Sequence, residues 1–237
     1  MKRLLSACLA YVFALSLFLS AFCYVIESVS FDVEYQLANI DYDYIKSKLP
    51  MNDDEIDSVV RTVVQYLKGD TDSIQRTLSD GRELYNEREL LHMDDVIKLF
   101  HLCSKAKAFC IGFCMIVFFI LFALNGFGCF KILCRGCVKA MLSMAGIFVL
   151  VGIWYMIDFN SFWTAFHEIA FTNDLWLMMP DDALIIFYTA EFFTVIVRKI
   201  IEKLAVILGG IFVCSLVGWI ILPVEKRKRF GKKNTCY

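Results

Sequence analysis

Four separate stretches of this chain are long and apolar enough to cross a lipid bilayer, which removes most soluble folds from consideration. A helix needs about 20 mostly apolar residues to cross roughly 30 Å of hydrocarbon. Leu4 to Ile26 meets that condition, as do Ala108 to Leu124, Val138 to Ile157 and Leu204 to Leu222, the last closed by Pro223. Within lipid only helices and closed barrels satisfy every backbone polar group, and continuous apolar runs of this length select helices. The expected fold is an all-α integral membrane protein: four transmembrane helices, with two helical extracytoplasmic segments forming a small outer domain. A mean hydropathy of +0.60 agrees with this, because a soluble domain is far more polar.

The Lys and Arg positions orient the spans. Lys2 and Arg3 precede the first span, Lys131, Arg135 and Lys139 cluster around the connection between the second and third, and Lys226 to Lys233 close the chain. Glu225 is the only acid in those three segments. In contrast, Glu27 to Ala106 holds 17 acids against 9 bases, and Asp158 to Val197 holds 6 acids and no base. Both termini are therefore expected in the cytoplasm. Residues 27–107 form a first extracytoplasmic loop and 158–203 a second with an interfacial helix; 125–137 form a cytoplasmic connection and 223–237 a basic cytoplasmic tail. The first span begins like a signal peptide, but its apolar stretch is long and Ala21-Phe22-Cys23 is a poor cleavage site. It reads as an uncleaved anchor. The near-neutral net charge gives no reason to expect a nucleic-acid partner.

The ten cysteines do not resemble a disulfide framework. Cys8, Cys23, Cys110, Cys114 and Cys214 fall within spans, where Cys behaves as a small hydrophobe. Cys129, Cys134 and Cys137 fall on the reducing side, and with no fourth ligand nearby they are not read as a metal site. Cys103 is the one cysteine in an outer loop and has no evident partner there.

Local patterns fill in the loops. Asn52-Asp53-Asp54-Glu55 is a capping box, and Ile56, Val59, Val60, Val63 and Leu67 follow at helical spacing. This predicts an amphipathic helix to about Lys68, stopped by Gly69-Asp70. Ser79-Asp80-Gly81 marks a turn, and a second helix is expected from Glu87 to Lys105, leading into the second span. In the second loop Phe159, Phe162, Phe166 and Ala170 suit a short helix lying in the interface, with Trp163 and Trp176 in the aromatic belt. Asp181-Asp182 caps a further apolar helix from about Ala183.

Histidine is the usual acid–base residue near neutral pH, and the chain has three, all in the outer loops. His92 shares a helical face with Arg88 four residues before it and Asp95 three after it. Asp95 is placed to fix the imidazole tautomer, and Val96 and Leu99 continue that face inward. His101 falls on the opposite face and reads as a solvated surface residue. His167 follows the aromatic run Phe162-Trp163-Thr164-Ala165-Phe166, where burial favours its neutral form. One inward histidine is more often structural than catalytic. Two from separate loops of a small membrane protein give a shared site comparable weight. No H-E-x-x-H, G-x-S-x-G or phosphate-binding glycine loop is present.

Tyr85-Asn86-Glu87-Arg88-Glu89-Leu90-Leu91-His92-Met93-Asp94-Asp95-Val96 resembles a signature segment of the lipoprotein intramolecular transacylase family, four-span bacterial membrane proteins. Phe166-His167-Glu168-Ile169-Ala170-Phe171-Thr172-Asn173-Asp174-Leu175-Trp176 resembles that family's second signature, and Tyr44 to Pro50 fits its first-loop pattern. The resemblance extends over the whole layout of spans and loops. Met179-Pro180 and Thr189-Ala190-Glu191-Phe192-Phe193 depart from the family pattern, which bears on substrate preference.

The resemblance implies an enzyme of the bacterial cytoplasmic membrane. Its substrate would be a lipoprotein whose N-terminal cysteine carries a diacylglyceryl group, and membrane lipids would surround it. The sn-2 acyl chain would move from its ester to the cysteine α-amine, giving a lyso-form lipoprotein. His92 and His167 would be the acid–base pair. Asp95, Arg88, Glu87, Met93, Asn173 and Trp176 would support or orient them, with no metal and no cofactor. A non-enzymatic sensor or assembly protein using its acidic loops, or another lipid-active hydrolase on the same scaffold, are the alternative readings.

Overall fold

A computed structural model describes residues 1–223; the basic tail from Glu225 through Lys233 lies outside the described residues. The regular secondary structure of the described residues is all helical, apart from one isolated antiparallel bridge between Thr77 and Glu83. Helix α1 spans Lys2–Ser30, α5 Glu87–Asn125, α6 Gly128–Ile157 and α9 Ala190–Ile221, and each is long and apolar enough to cross a membrane. The protein is an integral membrane protein with several spans.

Helix length explains how the bundle supports a second layer. At about 1.5 Å per residue α5 runs roughly 58 Å and α9 roughly 48 Å, against roughly 30 Å of hydrocarbon. Both helices therefore overshoot the bilayer and carry their N-terminal turns into the loop-bearing end of the molecule. From sequence the fourth span lies at about Leu204 to Leu222, with apolar character that can begin earlier, near Phe192. The helix itself, α9, runs unbroken from Ala190, with Thr189 Oγ1 accepting the Phe192 N–H at 3.3 Å.

At the other end, the residues expected as a connection over 125–137 are mostly helix. Only Gly126 and Phe127 separate α5 from α6, and Gly126 has a positive φ of 56°. Lys131 and Arg135 thus lie on the first turns of α6. Lys131 donates to the Leu222 carbonyl at 2.7 Å, and the Arg135 guanidinium lies 5.9 Å from the Trp219 ring. A charge bias marks a side of the membrane, but it does not mark where a helix begins.

Inside the bundle α1 packs on α5, α6 and α9. The α1–α6 crossing is close: a Cβ on Gly136 would stand 2.6 Å from the Ala10 carbonyl oxygen. Near the top of the bundle Lys107 pairs with the largely buried Glu27, and Lys203 donates to Ser28 at 3.2 Å. Cys103, without an evident partner in the sequence, is a free, half-buried thiol on α5.

The loops fold into one compact layer. Helix α4, Asp53–Lys68, has the complete Asn52–Glu55 capping box and ends at Gly69 with φ 81°. Its buried face carries Ile56, Val59, Val60, Val63 and Leu67, each contributing about 1.5–3 kcal/mol over an exposed position. Two short helices, α2 (Val33–Leu37) and α3 (Tyr42–Lys48), precede it, capped by Asp32 and Asp41. The turn at Ser79-Asp80-Gly81 closes a small hairpin, with Gly81 at φ 83°. Helix α7 (Phe159–Ala170) and the short α8 (Ala183–Phe187) complete the layer. Ala183, Leu184, Ile186 and Phe187 enter the same core as Met93, Tyr85 and the apolar face of α4.

Candidate functional site

Helix α5 opens with a second capping box. Asn86 accepts the Glu89 N–H at 3.0 Å, and Glu89 Oε2 accepts the Asn86 N–H at 2.8 Å. One turn later on the same face, His92 turns inward and is 9% exposed. Helix α7 is capped by Asp158, which accepts the Ser161 N–H at 3.0 Å, and it carries half-buried His167 on its last turn.

These two imidazoles meet. Their ring centroids are 6.2 Å apart and their planes are 27° from parallel. Phe171 packs against both, at 5.1 Å from His92 and 5.7 Å from His167. Trp163, Phe166 and Trp176 close around His167 with centroids at 4.8, 5.2 and 5.0 Å.

The surroundings set the protonation state of each ring. Nδ1 of His167 lies 2.8 Å from the Trp163 carbonyl oxygen. A carbonyl only accepts, so the proton sits on Nδ1 and the neutral ring presents the lone pair of Nε2. Nδ1 of His92 is buried and, among the described residues, has no hydrogen-bond partner. Burial lowers the His92 pKa to about 4, with His167 adding to the fall and Asp95 opposing it. Burial also lowers His167, against the opposing pull of the Trp163 carbonyl. Both rings are neutral at physiological pH.

Four hydrogen bonds tie the second loop onto the first turns of α5. Arg88 donates to the Asp174 carbonyl. Asn173 donates to Asp95 Oδ2 at 2.7 Å, and Asn86 donates to Asp182 Oδ1 at 2.8 Å. Glu89 Oε1 accepts the Leu184 N–H at 2.8 Å. Trp176 thus lies against His167 on a segment held at several points.

Several expected roles change. Asp95 does not hydrogen-bond to His92: Lys98 at 2.9 Å and Asn173 at 2.7 Å occupy its two oxygens, and these contacts hold its carboxyl below the usual range. It joins the loops and does not fix a tautomer. Met93 is buried in the loop-layer core, and Glu87 is exposed on the first turn of α5. Asp182 occupies the N-cap position of α8 without capping it; its carboxylate receives the Met179 N–H at 2.7 Å as well as Asn86. His101 is exposed and stands beside Gly69, apart from the pair. Among the described residues, no three His, Cys, Asp or Glu side chains gather as a metal site.

A pair of neutral imidazoles among aromatic rings, at the end of a membrane bundle, suits proton transfer. The model of the lipoprotein intramolecular transacylase Lit family matches residues 11–193, which include both histidines and every tie between the loops. The chain belongs to this family. It is an enzyme of the intramolecular transacylase class.

The fold agrees with solved structures of lipoprotein intramolecular transacylase Lit from Bacillus cereus. One superposes with a TM-score of 0.67 at 19% identity, covering 90% of this chain and 94% of that one. A histidine-to-alanine variant of the same protein gives 0.66 at 19% identity, covering 92% and 93%. A histidine-to-arginine variant gives 0.62 at 20% identity, covering 92% and 90%. At these identities the likeness is one of fold. No curated protein sequence shows significant similarity to the chain.

Within this Lit family member, sequence reasoning overlooked three contributors. Glu89 carries the buried bond to α8, Phe171 packs on both rings, and the Trp163 carbonyl sets the His167 tautomer. For Glu89 a signal existed, since Asn86 with Glu three positions later is a capping box.

Proposed function

We propose that this chain moves the sn-2 acyl chain of a diacylglyceryl-modified lipoprotein to the α-amine of its N-terminal cysteine. The observation that carries this reading is the approach of neutral His92 and His167 from separate loops, with the His167 tautomer fixed by the Trp163 carbonyl. In the transfer the amine nitrogen bonds to the ester carbonyl carbon. The bond from that carbon to the glycerol oxygen breaks, and the proton lost by the amine ends on that oxygen. Nε2 of His167 holds the lone pair that takes the proton and returns it. His92, with its pKa near 4, stays neutral and keeps one N–H to donate to the carbonyl oxygen as negative charge develops there. Because nucleophile and ester belong to one substrate molecule, proximity supplies much of the rate and the protein's share is proton handling.

The site needs its substrate in the outer leaflet. We infer that the loop layer faces out and both ends of the described chain face the cytoplasm. This orientation rests on the Lys and Arg bias, with Lys2, Arg3, Lys131 and Arg135 at one end and the acidic loops at the other.

The test uses purified protein in liposomes with a synthetic diacylglyceryl-cysteine peptide whose sn-2 chain is isotopically labelled. The labelled chain is expected as an amide on the same molecule. Release of labelled free fatty acid with no amide would replace the transacylase reading by a hydrolase.

A further inference from the structure

Glu89 is 1% exposed, lies one turn before His92 on the same face of α5, and has no cation beside it among the described ion pairs. A buried carboxylate without a cation is costly unless hydrogen bonds offset its lost hydration. Here they come from two helix starts. Oε2 accepts the Asn86 N–H of α5 at 2.8 Å, and Oε1 accepts the Leu184 N–H of α8 at 2.8 Å. Asp182, the residue in position to cap α8, faces Asn86 and Met179 instead. Glu89 therefore caps α8 from another element, 95 residues away in sequence.

The segment from Phe171 to Asp182 bridges the end of α7 to the start of α8. Phe171 packs against both imidazoles, and Trp176 packs against His167. Near one end of this strap Asn173 and Asp174 bond to Asp95 and Arg88. Its other end is fixed where α8 meets Glu89, in the core that α8 shares with Tyr85 and Met93.

We propose that Glu89 is a positioning residue for acyl transfer: by capping α8 from α5 it holds the strap that sets the spacing of His92 and His167 and keeps water from them. The proposal rests on the transacylase reading for its kinetic consequence, but its structural consequence is measured independently. Among the described residues Glu89 hydrogen-bonds to Asn86 and Leu184 and to neither ring, so its effect passes through the strap.

The test compares wild type with Glu89→Gln and Glu89→Ala in two arms. Gln keeps the shape and one acceptor oxygen, whereas Ala loses both bonds. In the kinetic arm kcat is expected to fall about tenfold in Gln and about hundredfold in Ala, with KM nearly unchanged, as misplacement of reacting groups by about 1 Å produces. The second arm follows the histidine resonances against pH in detergent; three histidines make assignment by single substitution direct. In Glu89→Ala the His92 titration is expected to rise from about 4 toward the ordinary imidazole range. Glu34→Gln, which breaks the exposed ion pair with Arg61, serves as the control and leaves both readouts at wild-type values. An unchanged His92 titration in Glu89→Ala overturns the proposal. So does a Glu89→Gln enzyme with wild-type kcat, or one changed only in KM. If wild type itself moves no acyl chain, the transacylase reading fails and the titration arm still decides the role of Glu89. If Ala does not fold, the same two readouts on Gln decide, a partial rise of the His92 titration being the supporting result.

Discussion

Asn173 donates its side-chain amide to Asp95 at 2.7 Å across 78 residues of sequence, joining the loop of one histidine to the helix of the other. Asp95→Ala cuts this tie and frees Lys98. We expect kcat to fall about tenfold, the scale of a small misplacement of the reacting groups. The His92 titration should stay close to 4, because Asp95 opposes the depression only weakly and from outside hydrogen-bond reach. A histidine NMR titration checks this. A His92 midpoint that moves by more than about one pH unit would mean that the carboxylate acts on the ring directly.

Stability should depend on pH through His92. Its folded pKa, about 4, lies below the ordinary imidazole value of about 6.5, so the fold favours the neutral ring. The associated stability is fully present above pH 6.5 and is lost as pH falls through the folded value of about 4. The loss amounts to on the order of 3 kcal/mol. Thermal unfolding in detergent should show the melting temperature falling across this window, and His92→Gln should flatten the fall. An equal slope in both proteins would show that other groups control acid stability.

Trp176 packs against His167 with ring centroids 5.0 Å apart. Trp176→Ala should raise the His167 titration toward the ordinary imidazole range and lower kcat, with little change in KM. Removing a large aromatic ring from a packed position destabilises by up to about 3–5 kcal/mol, and less here because Trp176 is only half-buried. Paired kinetic and titration measurements distinguish this from simple unfolding, which would lower the active fraction without moving the midpoint.

The spans and the α4 helix were legible because their signals are local. Apolar runs of 20 residues need no partner to be recognised, and Asn52–Glu55 declares the start of α4 within four residues. The short helices α2 and α3 were missed because five and seven residues are too few for a periodic pattern, although Asp32 and Asp41 cap them. His92 and His167 could be singled out by residue type and helical phase, but no local pattern encodes their contact. The bonds of Arg88, Asn173 and Glu89 join residues 78 to 95 positions apart. Asp95 illustrates the cost of reading locally: its i+3 spacing from His92 suggested an orienting carboxylate, but Lys98 and Asn173 compete for it.

Gly136 tests the bundle independently of the site. A Cβ there would stand 2.6 Å from the Ala10 carbonyl oxygen and 2.7 Å from the Ala10 Cβ, and backbone cannot yield as a side-chain tip can. Gly136→Val should force α1 and α6 apart and cost about 1–3 kcal/mol, read as a lower melting temperature. The titrations of His92 and His167 should not change.

Orientation is open to a labelling measurement. Ser79 is exposed at the hairpin tip of the loop layer. In intact cells Ser79→Cys should react with a membrane-impermeant maleimide more than wild type does. Labelling that appears only after lysis would invert the topology and place the site on the cytoplasmic side.

The most direct test of the central claim is mass spectrometry of lipoprotein N-termini from a host that lacks N-acylation, expressing wild type, His92→Ala or His167→Ala at equal membrane levels. The account predicts cysteine amines carrying one acyl chain, with one ester-linked chain left on glycerol, in wild type, and free amines in both variants. Free amines in wild type, or unchanged N-acylation in either variant, would contradict it.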